Sequence, residues 1–230
     1  MGVTMKRLYL ALLIFTILLG CKSTPKQEEE DAASRLNRGN EFYQLYNFDG
    51  AINEYTEALN MDPELVEVYI SRGNTYSGKL EFNAARNDYN TGAEKNEEWG
   101  PYARGYALYL DKDYNAAIRE FTQAIEQNVN LLAAYNDRGL CYQNLRNHDQ
   151  AIADFNAAIG INSNSAFPYN NRGNSYLEKR DFDKAIEDFS RAIELYPAFA
   201  FPYNGRGLAY QAKGEQALAE ADFAIAEELK

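Results

Sequence analysis

Six times along this chain an arginine and a glycine stand together in an otherwise helix-favouring segment. Four of the segments read YISRGNTY (69–76), YNDRGLCY (135–142), YNNRGNSY (169–176) and YNGRGLAY (203–210). The glycines fall at 39, 73, 105, 139, 173 and 207, so successive steps are 34, 32, 34, 34 and 34 residues. A glycine inside a helix costs about 1 kcal/mol relative to alanine. A recurrence this regular therefore requires a compensating close approach that is built again in every repeat. A period of this length marks one supersecondary unit that cannot bury its apolar face alone, and only stacking on neighbours completes the core.

A second motif follows each glycine segment: Ala, three residues, an aromatic, two residues, Ala. The first alanines are Ala51, Ala85, Ala117, Ala151, Ala185 and Ala219. The aromatics are Tyr55, Tyr89, Phe121, Phe155, Phe189 and Phe223. The second alanine column is Ala58, Ala124, Ala158, Ala192 and Ala226, with Gly92 in the second unit. In the first segment Tyr169, Gly173 and Tyr176 share one helix face at i, i+4 and i+7, and the second motif offers its alanines at i, i+7. The spacing predicts two helices per unit, with the glycine set against the alanines and aromatic rings filling the surrounding space.

These columns resemble the tetratricopeptide repeat, an antiparallel hairpin of helices A and B in 34 residues. The resemblance covers residues 32–230 and implies an all-α, right-handed superhelical solenoid of about six hairpins. The repeats run approximately 32–65, 66–97, 98–131, 132–165, 166–199 and 200–230. Arg35 and Pro101 stand where the family has its first aromatic, and the step into the third repeat is two residues short. A local change of superhelix geometry is expected between Asn96 and Pro101.

Two charged columns run through all six units. The arginines are Arg38, Arg72, Arg104, Arg138, Arg172 and Arg206, each just before its glycine. The acids are Glu54, Asp88, Glu120, Asp154, Asp188 and Asp222, each just before its helix-B aromatic. One acid per arginine near a buried face predicts ion pairs within or between repeats. The other reading is a basic ladder that binds anions.

In this family helix A lines a concave groove along which partners lie. The stripe opposite the Tyr/Gly face includes Asn40, Asn74, Trp99, Tyr102, Tyr106, Tyr109, Asn136, Phe167, Asn170, Asn174, Phe201 and Asn204, and Glu67 is its one charged member. Amides that donate and accept suit an extended peptide backbone, and aromatic rings supply rigid anchors. The expected ligand is a protein or extended peptide segment with apolar side chains and few negative charges. The same amides can equally bond a neighbouring helix, and the rings near Trp99 can equally patch the irregular junction. Leu218 and Ile225 form an apolar pair on the last helix, where Glu220 and Glu227 read as a polar cap. The pair allows self-association through that helix.

The first residues read as targeting and not fold. Lys6 and Arg7 precede an uncharged apolar run, Leu8 to Leu19, which closes in Leu18-Leu19-Gly20-Cys21. The run is short of the roughly 20 residues a spanning helix needs. It resembles a bacterial lipobox, which implies a signal peptide over 1–20, lipidation (palmitate among the acyl chains) of Cys21, and a flexible tether over 21–31. The implied location is the bacterial envelope, lipid-anchored in the membrane, with the outer membrane facing the periplasm as the default. The formal net charge of −11 argues against nucleic acid as a partner. No metal, cofactor or catalytic residue is expected. His148 is the sole histidine, placed in the inter-helix turn RNHD, so no histidine-based metal cluster or triad can form. Cys141 is the only cysteine left after lipidation and is expected to be a buried small hydrophobe. The function expected is a membrane-anchored adaptor. The alternative is a ligand-handling lipoprotein working with a periplasmic solute-binding or transport system.

Overall fold

The computed structural model describes residues 31–95, 100–128 and 131–229. The lipobox, Cys21 and Trp99 lie outside these residues. The described chain forms twelve helices in six antiparallel hairpins: α1 (Ala32–Gln44), α2 (Phe48–Met61), α3 (Val66–Gly78), α4 (Phe82–Lys95), α5 (Gly100–Leu110), α6 (Tyr114–Gln127), α7 (Leu132–Asn144), α8 (His148–Ile161), α9 (Ala166–Glu178), α10 (Phe182–Leu195), α11 (Ala200–Lys213) and α12 (Gln216–Glu228). Helices adjacent in the chain are adjacent in space. The A-helices α1 and α3, α5 and α7, α7 and α9, and α9 and α11 also touch. The result is an all-α tetratricopeptide-type solenoid. His148, expected in a turn, is instead the first residue of α8.

Each A-to-B turn is made the same way. The residue at 46, 80, 112, 146, 180 or 214 takes a left-handed backbone conformation, and only the last of these is glycine. The following amide bonds back to a carbonyl five residues earlier: Asn47 to Phe42 at 2.9 Å, Glu81 to Tyr76 at 2.8 Å, Asn147 to Tyr142 at 2.8 Å. This is the six-to-one bond of a Schellman stop, which satisfies carbonyls the helix end leaves open. An Asn or Asp then caps several B-helices. Asn47 Oδ1 accepts from the Gly50 amide at 3.0 Å, and Asp113 Oδ1 from the Ala116 amide at 3.1 Å.

The repeated glycine meets a ring and not the alanines expected to face it. A Cβ on Gly39 would stand 2.4 Å from Tyr55 Cε1, one on Gly139 2.6 Å from Phe155 Cε1, and one on Gly207 2.6 Å from Phe223 Cε1. The B-helix aromatic of each repeat therefore packs directly on the bare backbone of its own A-helix. The alanine columns are buried beside these rings: Ala51, Ala58, Ala85, Ala117, Ala151, Ala158, Ala185 and Ala192 have zero exposure. The dispersion contacts of a fully buried ring offset the propensity lost at the glycine.

All six arginines bond the acid of their own repeat, sixteen residues on. The shortest contacts are Arg38–Glu54 2.9 Å, Arg72–Asp88 2.8 Å, Arg104–Glu120 2.9 Å, Arg138–Asp154 2.7 Å, Arg172–Asp188 2.6 Å and Arg206–Asp222 2.8 Å. In four repeats a third guanidinium nitrogen crosses to the preceding B-helix, onto Thr56, Thr122, Asn156 or Ser190 at 2.6–3.1 Å. The arginine thus staples its own hairpin to the previous one. At the short step into the third repeat the Arg104 side chain is 53% exposed. There α5 is eleven residues long, against thirteen or fourteen for the other A-helices.

Candidate functional site

The interior of the superhelix is narrower than an open groove. Tyr46, at the first A-to-B turn, reaches the turns that precede the fifth and sixth repeats. Its ring stacks on Tyr196 with centroids 4.1 Å apart and planes 4° from parallel, and meets Phe167 edge-on at 5.9 Å. Its hydroxyl accepts from the Ala166 amide at 2.7 Å and donates to the Asn164 carbonyl at 3.4 Å. Phe48 stacks near Phe167 at 6.3 Å, and Phe199 closes the cluster against Tyr196 at 5.5 Å. The left-handed backbone at Tyr46 (φ 56°) is what turns this residue off the end of α1. The solenoid has come round on itself, and the first hairpin is latched to the fourth-to-sixth.

Ring stacking and apolar burial at such a latch are worth roughly 2 kcal/mol. The Ala166 amide opens α9 and has only the Tyr46 hydroxyl to bond. Tyr46→Ala is therefore expected to raise the hydrogen-exchange rate of that amide and to enlarge the radius of gyration, with the α7–α8 pair unchanged. An exchange profile identical to the parent's would refute the latch.

The stripe predicted for the groove divides when placed in this interior. Tyr102 and Tyr106 are 1% and 4% exposed, and Asn170 is 6% exposed, so they are wall and not open surface. Asn40 Oδ1 accepts from the Tyr55 hydroxyl at 2.8 Å, and Asn74 Oδ1 from Tyr89 at 2.7 Å. These two amides orient the buried rings of their own repeats. Phe167 is spent in the latch. Asn204 and Phe201 are exposed, and Tyr109, Asn136 and Asn174 are half-buried. Of the stripe's amides, Asn136 is bonded from the neighbouring A-helix, the alternative left open for them, whereas Asn170 bonds the next residue of its own helix. Asn171 Nδ2 donates to Asn136 Oδ1 at 2.9 Å, and Asn170 Nδ2 to Asn171 Oδ1 at 3.2 Å. Gln143 Nε2 reaches the Asn171 carbonyl at 3.1 Å and Ser175 Oγ at 3.0 Å.

At the centre of this polar chain is a residue the stripe omitted, Asp137 of α7. The Tyr102 hydroxyl, which lies 3.2 Å from the Asn74 amide, donates to Asp137 Oδ2 at 2.8 Å, and Asn136 Nδ2 approaches Oδ1 at 3.2 Å. The side chain is half-buried, so water reaches it from the lumen. Desolvation nonetheless dominates and pushes its carboxyl up to about 6, against the lowering effect of its two hydrogen bonds. The Asp137 charge also adds to burial in raising Tyr43, Tyr89, Tyr102 and Tyr106, and in pushing Tyr109 up to about 12. Tyr106 is held by a hydrogen bond with Ser77 of α3. Cys141, one turn on from Asp137, is fully buried, and burial pushes its thiol well above the ordinary range. The sequence did carry a signal for Asp137. Its column reads Asn37, Ser71, Ala103, Asp137, Asn171, Gly205, with one charge in six.

At the outer end of the stack, Leu218 is 48% and Ile225 38% exposed on α12. Among the described residues no group of three or more His, Cys, Asp or Glu side chains is placed to hold a metal ion.

Comparison with known proteins identifies the repeats. A tetratricopeptide-repeat family profile matches residues 132–165 and 166–199, and a related repeat profile matches 39–79. Tetratricopeptide repeats are therefore present in this chain. Among solved structures, the APC/C hetero-tetramer Cut9-Hcn1 superposes with a TM-score of 0.66 at 18% identity, over 89% of this chain and 41% of that one. A MamA RS-1 ArsTM double mutant gives 0.50 at 16% identity, over 86% and 93%. A further MamA crystal structure is 26% identical over 83% and 93%, with a TM-score of 0.49. At these identities the likeness is one of fold.

Proposed function

We propose that this chain is a lipid-anchored interaction scaffold of a bacterial envelope that takes an extended segment of a partner protein against the inner wall of its superhelix. Tetratricopeptide solenoids are interaction platforms, and this one has an inner wall built for a polar backbone. The observation that carries the reading is the polar run along successive A-helices, in which Tyr102, Asp137, Asn136 and Asn171 are joined by hydrogen bonds. Side chains that both donate and accept can exchange partners with an incoming peptide at little net cost. The anchor reading rests on the lipobox-like Leu18-Leu19-Gly20-Cys21 and the polar stretch after it, with outer membrane facing the periplasm as its default.

Two measurements test this. Labelling with radioactive palmitate in a bacterial host should be lost in Cys21→Ala, and the variant should leave the membrane fraction. Retained label would remove the anchor. Affinity capture from envelope extract should yield a defined protein whose retention is lost with Tyr43→Ala combined with Tyr109→Ala. Capture that survives this pair moves binding off the inner wall, to the convex face or the Leu218/Ile225 end. A second reading draws on the Tyr46 latch. A lumen narrowed in this way also suits a small solute handed over by a periplasmic binding system.

A further inference from the structure

Every acid of the helix-B column has an arginine, and Asp137 has none. Its two bonding partners are the neutral Tyr102 hydroxyl and Asn136 amide, and among the described residues no cation lies within ion-pair reach of it. Tyr102 bonds it directly, Tyr89 packs on that ring, Tyr106 on Tyr89 and Tyr109 on Tyr106. The Asp137 charge helps raise these four and Tyr43 of the first hairpin, so all five are neutral near pH 7. The same polar chain ends in the fifth repeat at Asn170 Oδ1, a buried acceptor with no donor among the described residues. The inner wall therefore carries a full negative charge, a spare acceptor and several aromatic rings, with no positive charge to balance them.

This set selects the chemistry of its ligand. Ring faces and a carboxylate both attract a cation, most strongly where water is scarce. A divalent metal would need six or more oxygen ligands, which one carboxylate and one amide cannot supply. A guanidinium fork fits less well than a single-point cation, because Oδ1 and Oδ2 each already accept one bond from a different neighbour. A compact ammonium, with rotatable donors on an alkyl stem, needs neither. Resting on the inner-wall reading above, we propose that the lumen binds an alkylammonium group with Asp137 as its counter-ion and the surrounding tyrosines, Tyr43, Tyr106 and Tyr109 foremost, as its walls. The group is a lysine-type side chain of the bound peptide or a free primary amine.

The test is isothermal titration calorimetry on the full chain in mild detergent with three probes. They are the capped pentapeptide Ala-Ala-Lys-Ala-Ala, the same peptide with norleucine for lysine, and n-butylammonium. The lysine peptide is expected to bind at least tenfold more tightly than the norleucine peptide. Asp137→Asn, which keeps an acceptor for Tyr102 and should fold at least as well by circular dichroism, is expected to erase that ratio. Binding of butylammonium but of neither peptide, lost in Asp137→Asn, would uphold the ammonium site for a free amine and overturn the peptide reading. Equal binding of both peptides to parent and variant would uphold the peptide wall and overturn the ammonium site. No binding by any probe would overturn the ammonium site as well.

Discussion

Arg138→Met is expected to lower the unfolding free energy by about 3 kcal/mol, as for any of the buried arginines of this column and far more than for the exposed Arg104. Arg138 holds Asp154 by two bonds, Nε to Oδ2 at 2.8 Å and Nη2 to Oδ1 at 2.7 Å, and reaches Thr122 of the preceding repeat at 3.0 Å. The side chains are 17% and 8% exposed. Methionine refills the volume of the stem but leaves the carboxylate enclosed without a counter-charge. Removing one partner of a buried pair costs on the order of 3–5 kcal/mol, because the remaining charge stays desolvated. The Thr122 staple between the third and fourth repeats goes too.

The comparison variants separate the causes. Arg138→Met combined with Asp154→Leu should recover most of the loss, since a matched apolar pair carries no stranded charge. Arg104→Met should cost under about 1 kcal/mol, because Arg104 is more than half exposed and Glu120 a quarter exposed. Urea unfolding followed by far-UV circular dichroism reads all three. Equal losses for Arg104→Met and Arg138→Met would mean that burial does not set the worth of this column.

The repeat columns made the hairpins, their boundaries and the charge partners legible before any coordinate, because each is a relation within one unit or between neighbours. The sequence could not show how far the stack turns per repeat. That rotation is a small quantity summed over four interfaces, and only the sum brings Tyr46 onto Tyr196. Nothing in the Tyr46 column marks it out. The corresponding residues are Leu80, Lys112, Arg146, Arg180 and Gly214, all turn residues with the same backbone. Tyr102 and Tyr106 become wall through packing within and between adjoining repeats, on Tyr89 and Phe121, and the Tyr102 hydroxyl brings in Asp137, one residue off the expected stripe. The glycine was misread for a more local reason. Its partner is the large ring of the B-helix and not the small alanine, and column matching assigns no contact to either.

Asp137→Asn is expected to stabilise the chain by about 2 kcal/mol at pH 7.5. Burial pushes the Asp137 carboxyl up to about 6 in the folded protein, from an ordinary value of 3.8. At about 1.4 kcal/mol per pH unit the whole rise amounts to about 3 kcal/mol against the charged folded form, reduced to about 2 because the half-buried carboxylate is partly screened by water. Below the unfolded value both states are protonated and the residue is neutral in the balance. As pH rises toward 6, the unfolded chain releases a proton that the folded chain retains, so stability falls. Above 6 the penalty is complete and constant. Asparagine never charges, and its Oδ1 can still accept from Tyr102. The gap between variant and parent should therefore be full at pH 7.5, shrink through pH 5 and vanish near pH 4. Parallel unfolding curves in urea across that range would measure it, and a variant no more stable than the parent at pH 7.5 would refute the stranded charge. A group that weakens its own fold at neutral pH, and that one isosteric change would relieve, has no structural justification in the folded chain alone. An ammonium bound beside it would supply the missing counter-charge. Adding n-butylammonium should then raise the stability of the parent and leave Asp137→Asn unmoved, which ties the energetic oddity of this residue to the ligand it selects.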